Sequence, residues 1–159
     1  GSKGSDFPKT LFGRFSEVAP LDLSSGKERK LLLDVSHNVP AVQSFVTSLR
    51  RYFNLEQGSF LPGIISILAD KDMNGMLDLL REVLSPIVLF RVGDERGFRV
   101  EQIAERHRDI SVYDDFPTAW GDVNLQWSCH ASPWVIGGSV LAIGKALSFL
   151  RLPIPSYFP

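Results

Sequence analysis

The chain has 159 residues, 44% of them hydrophobic and 22% charged, with 17 basic against 18 acidic side chains and a formal net charge of −1. That is ordinary composition for one globular domain, which at this length buries roughly two-thirds of the surface its unfolded form exposes. The balanced charge gives no footprint for nucleic acid, whose phosphates are bound by clustered Lys and Arg, and no apolar run approaches the roughly 20 residues that cross a bilayer.

Residues 1–10 are polar and read as a lead-in, with Gly1-Ser2 as a cloning remnant. The domain proper is expected over 11–150. Residues 151–159 form a Pro-rich tail, because Pro153, Pro155 and Pro159 cannot continue a helix.

Within the domain, Phe15 to Ala19 predicts a short strand. Pro20 to Lys30 holds Asp22, Ser24, Ser25, Gly26 and Lys27 and predicts a surface loop. The run Leu31-Leu32-Leu33, ending at Asp34, suits a strand covered on both faces. Val39, Val42, Phe45, Val46, Leu49 and Phe53 then recur at helical spacing, with Asn38 as N-cap and Pro40 in the first turn. Asn54 to Pro62 predicts a loop and Gly63 to Ala69 a second strand.

Asp72 caps the next helix, whose inward face is Met73, Met76, Leu77, Leu80, Val83 and Leu84, with Ser85-Pro86 as its stop. Ile87 to Val92 and Ile110 to Tyr113 predict strands, and Val100 to Arg106 and Phe116 to Gln126 predict helices. Cys129 is the one cysteine, which excludes an internal disulfide and argues against a zinc site. His130 follows it directly, but adjacent side chains in an extended segment point to opposite faces, so no Cys-His dyad is expected. Trp134 to Gly137 is the last predicted strand and Ser139 to Leu150 the last helix.

Alternating strands and helices predict an α/β fold, a three-layer Rossmann-like arrangement with a mainly parallel sheet and helices on both faces. Ligands in such folds gather beyond the carboxyl ends of the strands. Three strand ends carry polar chemistry. Asp34-Val35-Ser36-His37-Asn38 puts a carboxylate at a strand tip and an imidazole at the mouth of a helix, where free N–H groups favour anions. Asp70-Lys71-Asp72 sets two acids and a lysine at a helix start. Gly137-Gly138-Ser139 combines close backbone approach with a hydroxyl, without the full Gly-x-Gly-x-x-Gly spacing. Each also reads as a capped helix start with a solvated turn.

Taken in order, Gly13-Arg14-Phe15, Leu32-Leu33-Asp34-Val35-Ser36-His37-Asn38, Asp70-Lys71-Asp72 with Met76-Leu77, and Gly138-Ser139 are similar to the carboxy-terminal domain of folylpolyglutamate and dihydrofolate synthases. These are amide ligases of the Mur superfamily. Glu95-Arg96-Gly97 and Val100-Glu101-Gln102-Ile103 resemble the family's arginine loop and the short helix after it. The resemblance runs from about Leu11 to Leu150. Ser36 stands where the family has alanine, Val39 intervenes before Pro40, and the loop from Pro20 to Lys30 is longer than is typical.

The resemblance implies an ATP- and Mg-dependent ligase that makes an acyl phosphate of a folate or pteroate carboxylate, which a glutamate amine then attacks. It implies that Arg14 and Asp34 contact the nucleotide, and that His37 and Ser139 act around the incoming glutamate. Lys71 and Arg96 are weaker candidates for carboxylate or phosphate contact. The glycine-rich ATP loop, the magnesium ligands and most of the folate pocket belong to a preceding domain. The chain is therefore expected to be cytoplasmic, to hold no metal itself, to pair with that amino-terminal domain, and to be inactive alone. The competing readings are a cell-wall Mur ligase carboxy-terminal domain and a non-catalytic nucleotide- or amino-acid-binding module.

Overall fold

The computed structural model describes residues 16–18, 21–22, 27–28, 30–55, 58–128 and 133–153. Strands β1 (Ser16–Val18), β4 (Leu31–Asp34), β5 (Leu61–Ile65), β6 (Leu84–Phe90), β7 (Ser111–Tyr113) and β8 (Trp134–Gly137) form one sheet in the order β1-β4-β8-β5-β6-β7. Strand β1 is antiparallel to β4, and the other pairings are parallel. Helices α1 (Val39–Phe53), α2 (Met73–Leu80), α3 (Phe116–Gln126) and α4 (Val140–Phe149) cover it.

Strand alternation divides the core into two layers. Leu32, Ile65, Leu89 and Val135 face α1 and α2, packing with Val42, Phe45, Leu49, Met76 and Leu77. Their neighbours Leu31, Leu33, Ile64, Val88, Phe90, Trp134 and Ile136 face α3 and α4, packing with Phe116, Val123, Ile143 and Leu147. A strand covered on both faces needs no polar alternation, which is why Leu31-Leu32-Leu33 is an unbroken apolar run.

Four boundaries differ from the sequence reading. The segment from Pro20 to Lys30 is not wholly loop: β2 (Leu21–Asp22) pairs antiparallel with β3 (Lys27–Glu28). Strand β5 starts at Leu61, since Pro62 sits at a register slip against β6 where a missing N–H is tolerated, and it ends at Ile65. Helix α2 stops at Leu80, before Ser85-Pro86; Glu82 and Val83 donate to carbonyls three residues back, and the Val83 carbonyl then accepts the Leu61 N–H, beginning the β5 pairing. Pro86 lies inside β6.

The predicted helix over Val100 to Arg106 is two 3₁₀ turns, Val100–Gln102 and Glu105–His107, with Ile103 and Ala104 extended between them. Side chains take the backbone groups a helix would need. Gln102 Oε1 accepts the Arg99 N–H and Asn74 Oδ1 accepts the Ala104 N–H, both at 2.8 Å. No helix among the described residues is long and apolar enough to cross a membrane.

Candidate functional site

Strand β8 is inserted between β4 and β5, so Gly137 lies in register with both Asp34 and Ile65. The Gly137 carbonyl accepts the Ser66 N–H at 3.0 Å, tying the ends of β8 and β5. Gly138 follows with φ +101, and a β-carbon there would collide with the Ser66 carbonyl oxygen. The glycine pair is thus required by the approach of two chain segments and by a left-handed backbone.

At the tip of β4 the Asp34 side chain is buried, and its Oδ2 accepts the Ser36 N–H at 2.9 Å. His37 Nδ1 lies 3.2 Å from the Val35 carbonyl, which can only accept, so Nδ1 carries the proton and Nε2 is left as an acceptor in the neutral ring. Asn38 Oδ1 accepts the Ala41 N–H at 2.9 Å as the α1 N-cap, with proline in the first turn as expected. Ser36 Oγ donates to the Ala41 carbonyl at 3.3 Å, joining the turn to the helix.

These residues line an open cleft of about 390 Å³ that includes Asp34, Ser36, His37, Asn38, Ser44 and Ser48. A small void of about 10 Å³ lies between Asp34, Ser36, Phe45, Gly137 and Gly138, so the ends of β4 and β8 share one seam. Among the described residues, neither Lys nor Arg lines the cleft. Its chemistry is a carboxylate, an imidazole, an amide and hydroxyls, which suits a ligand rich in hydroxyl groups better than a bare phosphate.

Ser139 stands on the neighbouring strand end but outside this cleft. It is 1% exposed, and its Oγ accepts the Ala142 N–H at 3.0 Å as the N-cap of α4. Lys71 and Arg96 follow β5 and β6 on the same rim. Lys71 Nζ is 3.8 Å from Asp70 Oδ2, and Arg96 pairs with Asp94 at 2.9 Å. The Arg96 guanidinium holds the Asp94 carboxyl below the usual carboxylate range. The two loops touch through backbone, with Ala69 N–H donating to the Arg96 carbonyl at 2.8 Å and Leu68 bridging Gly97. Arg14, Cys129 and His130 lie outside the described residues.

The rim therefore brings Asp34 and His37 into one cleft, with Ser139 behind the adjoining seam and Lys71 and Arg96 on a second pair of loops. Sequence reasoning missed Asn74 and Gln102, whose amides bind those loops. The available signal was an asparagine two residues past a cap, where such a side chain competes for backbone partners. Ser44 and Ser48, one helical turn apart, were also missed as cleft lining.

No protein-family model matches the sequence. A 74-residue stretch is 31% identical to the dihydrofolate synthase/folylpolyglutamate synthase of Mycobacterium tuberculosis (strain ATCC 25618 / H37Rv), covering 46% of this chain and 15% of that protein. The fold matches a bifunctional folylpolyglutamate synthase/dihydrofolate synthase solved with Mn, AMPPNP and L-glutamate bound, with TM-score 0.69 and 25% identity over 90% of this chain and 32% of the other. By sequence and by fold, the chain matches a partial, carboxy-terminal-like region of the folylpolyglutamate/dihydrofolate synthases. A Mycobacterium tuberculosis folylpolyglutamate synthase solved with ADP shares the fold, with TM-score 0.64 and 22% identity over 92% of this chain and 34% of that one. The chain spans about a third of the length of these synthase structures.

Proposed function

We propose that the chain is the carboxy-terminal domain of an ATP-dependent folylpolyglutamate or dihydrofolate synthase, one side of an active site completed by a preceding ATP-binding domain. The single observation that carries this reading is the Asp34–His37 cleft at the carboxyl rim of the sheet, in a fold that aligns with ligases solved with AMPPNP and L-glutamate. In this reading Asp34 accepts hydroxyl groups of the nucleotide, and Arg14 reaches its phosphates. His37 faces the incoming glutamate, where the neutral ring's Nε2 can hold a proton of the attacking amine. Ser139, capping α4 at the seam, fixes the helix start that borders the glutamate, while Lys71 and Arg96 receive carboxylate or phosphate charge.

ATP activates a folate or pteroate carboxylate as an acyl phosphate, glutamate nitrogen forms the amide bond, and phosphate leaves. Positioning and charge neutralisation carry most of such a reaction. Among the described residues no three His, Cys, Asp or Glu side chains come together to hold a metal ion. The cation that accompanies ATP is assigned to the nucleotide and the preceding domain.

Incubating the isolated chain with ATP, magnesium, dihydropteroate or tetrahydrofolate, and glutamate tests the reading. It predicts no phosphate release above background from the chain alone, and release once the preceding domain is present. Turnover by the chain alone would remove the half-site reading.

A further inference from the structure

We propose that Gln102 and Asn74 are positioning residues that lock the loop after β5 and the loop after β6 into one edge, presenting Lys71 and Arg96 together to an anionic group of the substrate. The proposal rests on the reading of this rim as part of an amide-ligase site.

The geometry is a double amide clamp. Gln102 Nε2 donates to the Ala69 carbonyl and its Oε1 accepts the Arg99 N–H, both at 2.8 Å. Asn74 Nδ2 donates to the Gln102 carbonyl at 2.9 Å and its Oδ1 accepts the Ala104 N–H at 2.8 Å. Each amide uses a donor and an acceptor at once, so neither can be replaced by a carboxylate or an apolar side chain without leaving a backbone group unpaired. The clamp reaches from Ala69, two residues before Lys71, to Arg99, three residues after Arg96.

Beyond Arg99 the loop after β6 has no α-helix to hold it, since residues 100–107 form only two short 3₁₀ turns. Its other ties to the β5 side are the Ala69–Arg96 backbone bond and the Leu68–Gly97 bridge. The cations themselves contribute little restraint, because Lys71 and Arg96 lean on the exposed acids Asp70 and Asp94, with which an arriving anion competes. Holding two such side chains at a fixed separation is therefore shared between those backbone ties, the buried Phe98 two residues after Arg96, and the amides. A carboxylate and a phosphate share the chemistry that this edge recognises, and separate kinetics for glutamate and ATP distinguish them.

The experiment measures kcat, and KM for ATP and for glutamate, in the ligase that carries this chain, for Gln102→Ala, Asn74→Ala, Lys71→Ala, Arg96→Ala and the Arg96→Ala/Gln102→Ala double variant. Gln102→Ala and Asn74→Ala are expected to raise one of the two KM values about tenfold with kcat within about twofold of wild type. Arg96→Ala is expected to raise the same KM, and the double variant to fall clearly short of the product of the two single effects, because a residue acting in part through Arg96 adds less once it is gone. Independent, additive effects of Gln102 and Arg96, or unchanged KM values in the clamp variants, would overturn the clamp. Unchanged KM values in both Lys71→Ala and Arg96→Ala would instead overturn the assignment of these cations to the substrate edge. Should the clamp variants not fold, hydrogen exchange of the wild-type chain decides: slow exchange of the Arg99 and Ala104 N–H groups is expected, and exchange at free-loop rates overturns the clamp.

Discussion

The Asp34 carbonyl oxygen lies 2.9 Å from the place a β-carbon on Gly137 would occupy, so β4 and β8 meet at the rim backbone to backbone. Gly138, one residue on, combines positive φ with contact against Ser66. Gly138→Ala therefore forces both a strained dihedral and a clash. It is expected to lower unfolding stability by about 2 kcal/mol or more, read from the urea midpoint of the chain. A midpoint equal to wild type would mean that the seam has slack the geometry does not show.

The two helix starts at the rim are set by caps of different burial. Asn38→Ala and Ser139→Ala each remove an acceptor from an N–H at N3 and are expected to cost about 1 kcal/mol. The Ser139 loss should be the larger, since its site is 1% exposed and water cannot replace the hydroxyl there. Chemical denaturation of both variants checks the order. A larger loss at Asn38 would contradict it.

Much of this arrangement is legible in the sequence, and the exceptions have physical causes. The caps Asn38, Asp72 and Ser139 and the helix over Phe116–Gln126 follow from local rules, because cap and periodicity lie within a few residues of each other. Pro86 and the stretch from Val100 to Arg106 depart from local rules because their state depends on partners far along the chain. The Val83 carbonyl is taken by Leu61 and the Ala104 N–H by Asn74. The cleft shows the same division. Asp34 and His37 stand out as polar residues at a strand end, but that Ser139 is buried behind the seam follows only from the insertion of β8 between β4 and β5.

Away from the rim, a charged network ties α2 to the second 3₁₀ turn. Arg106 binds Asp78 in a two-pronged contact, and buried His107 approaches the same carboxylate with Nε2 at 2.7 Å. The hydrogen bond from Arg106, aided by that from His107, holds the Asp78 carboxyl down to about 2 from its ordinary 3.8. A depressed folded value contributes stability above the unfolded value that disappears as pH falls from about 4 through about 2. Asp78→Asn keeps an acceptor for His107 but removes this titration. Its urea midpoint should therefore start lower at pH 7 and fall less than wild type across that window. Parallel curves would contradict the network.

On the opposite face, the Tyr113 hydroxyl donates to the Asp122 carboxylate, which together with burial pushes the phenol up to about 12. A raised folded value contributes stability present below the ordinary 10.0 and lost as pH rises through about 12. Ultraviolet titration should show a late tyrosine phase, and Asp122→Asn should shift the contribution of Tyr113 to lower pH. A late phase that survives Asp122→Asn would assign it elsewhere.

The role given to Asp34 is the point on which the functional account turns. The most direct measurement is kcat/KM for ATP in the proposed two-domain ligase, with Asp34→Asn against wild type and the folded state of both confirmed by denaturation. The account predicts a loss of at least about tenfold, the scale of one charge-assisted hydrogen bond to a nucleotide hydroxyl. A folded variant within about twofold of wild type would contradict it.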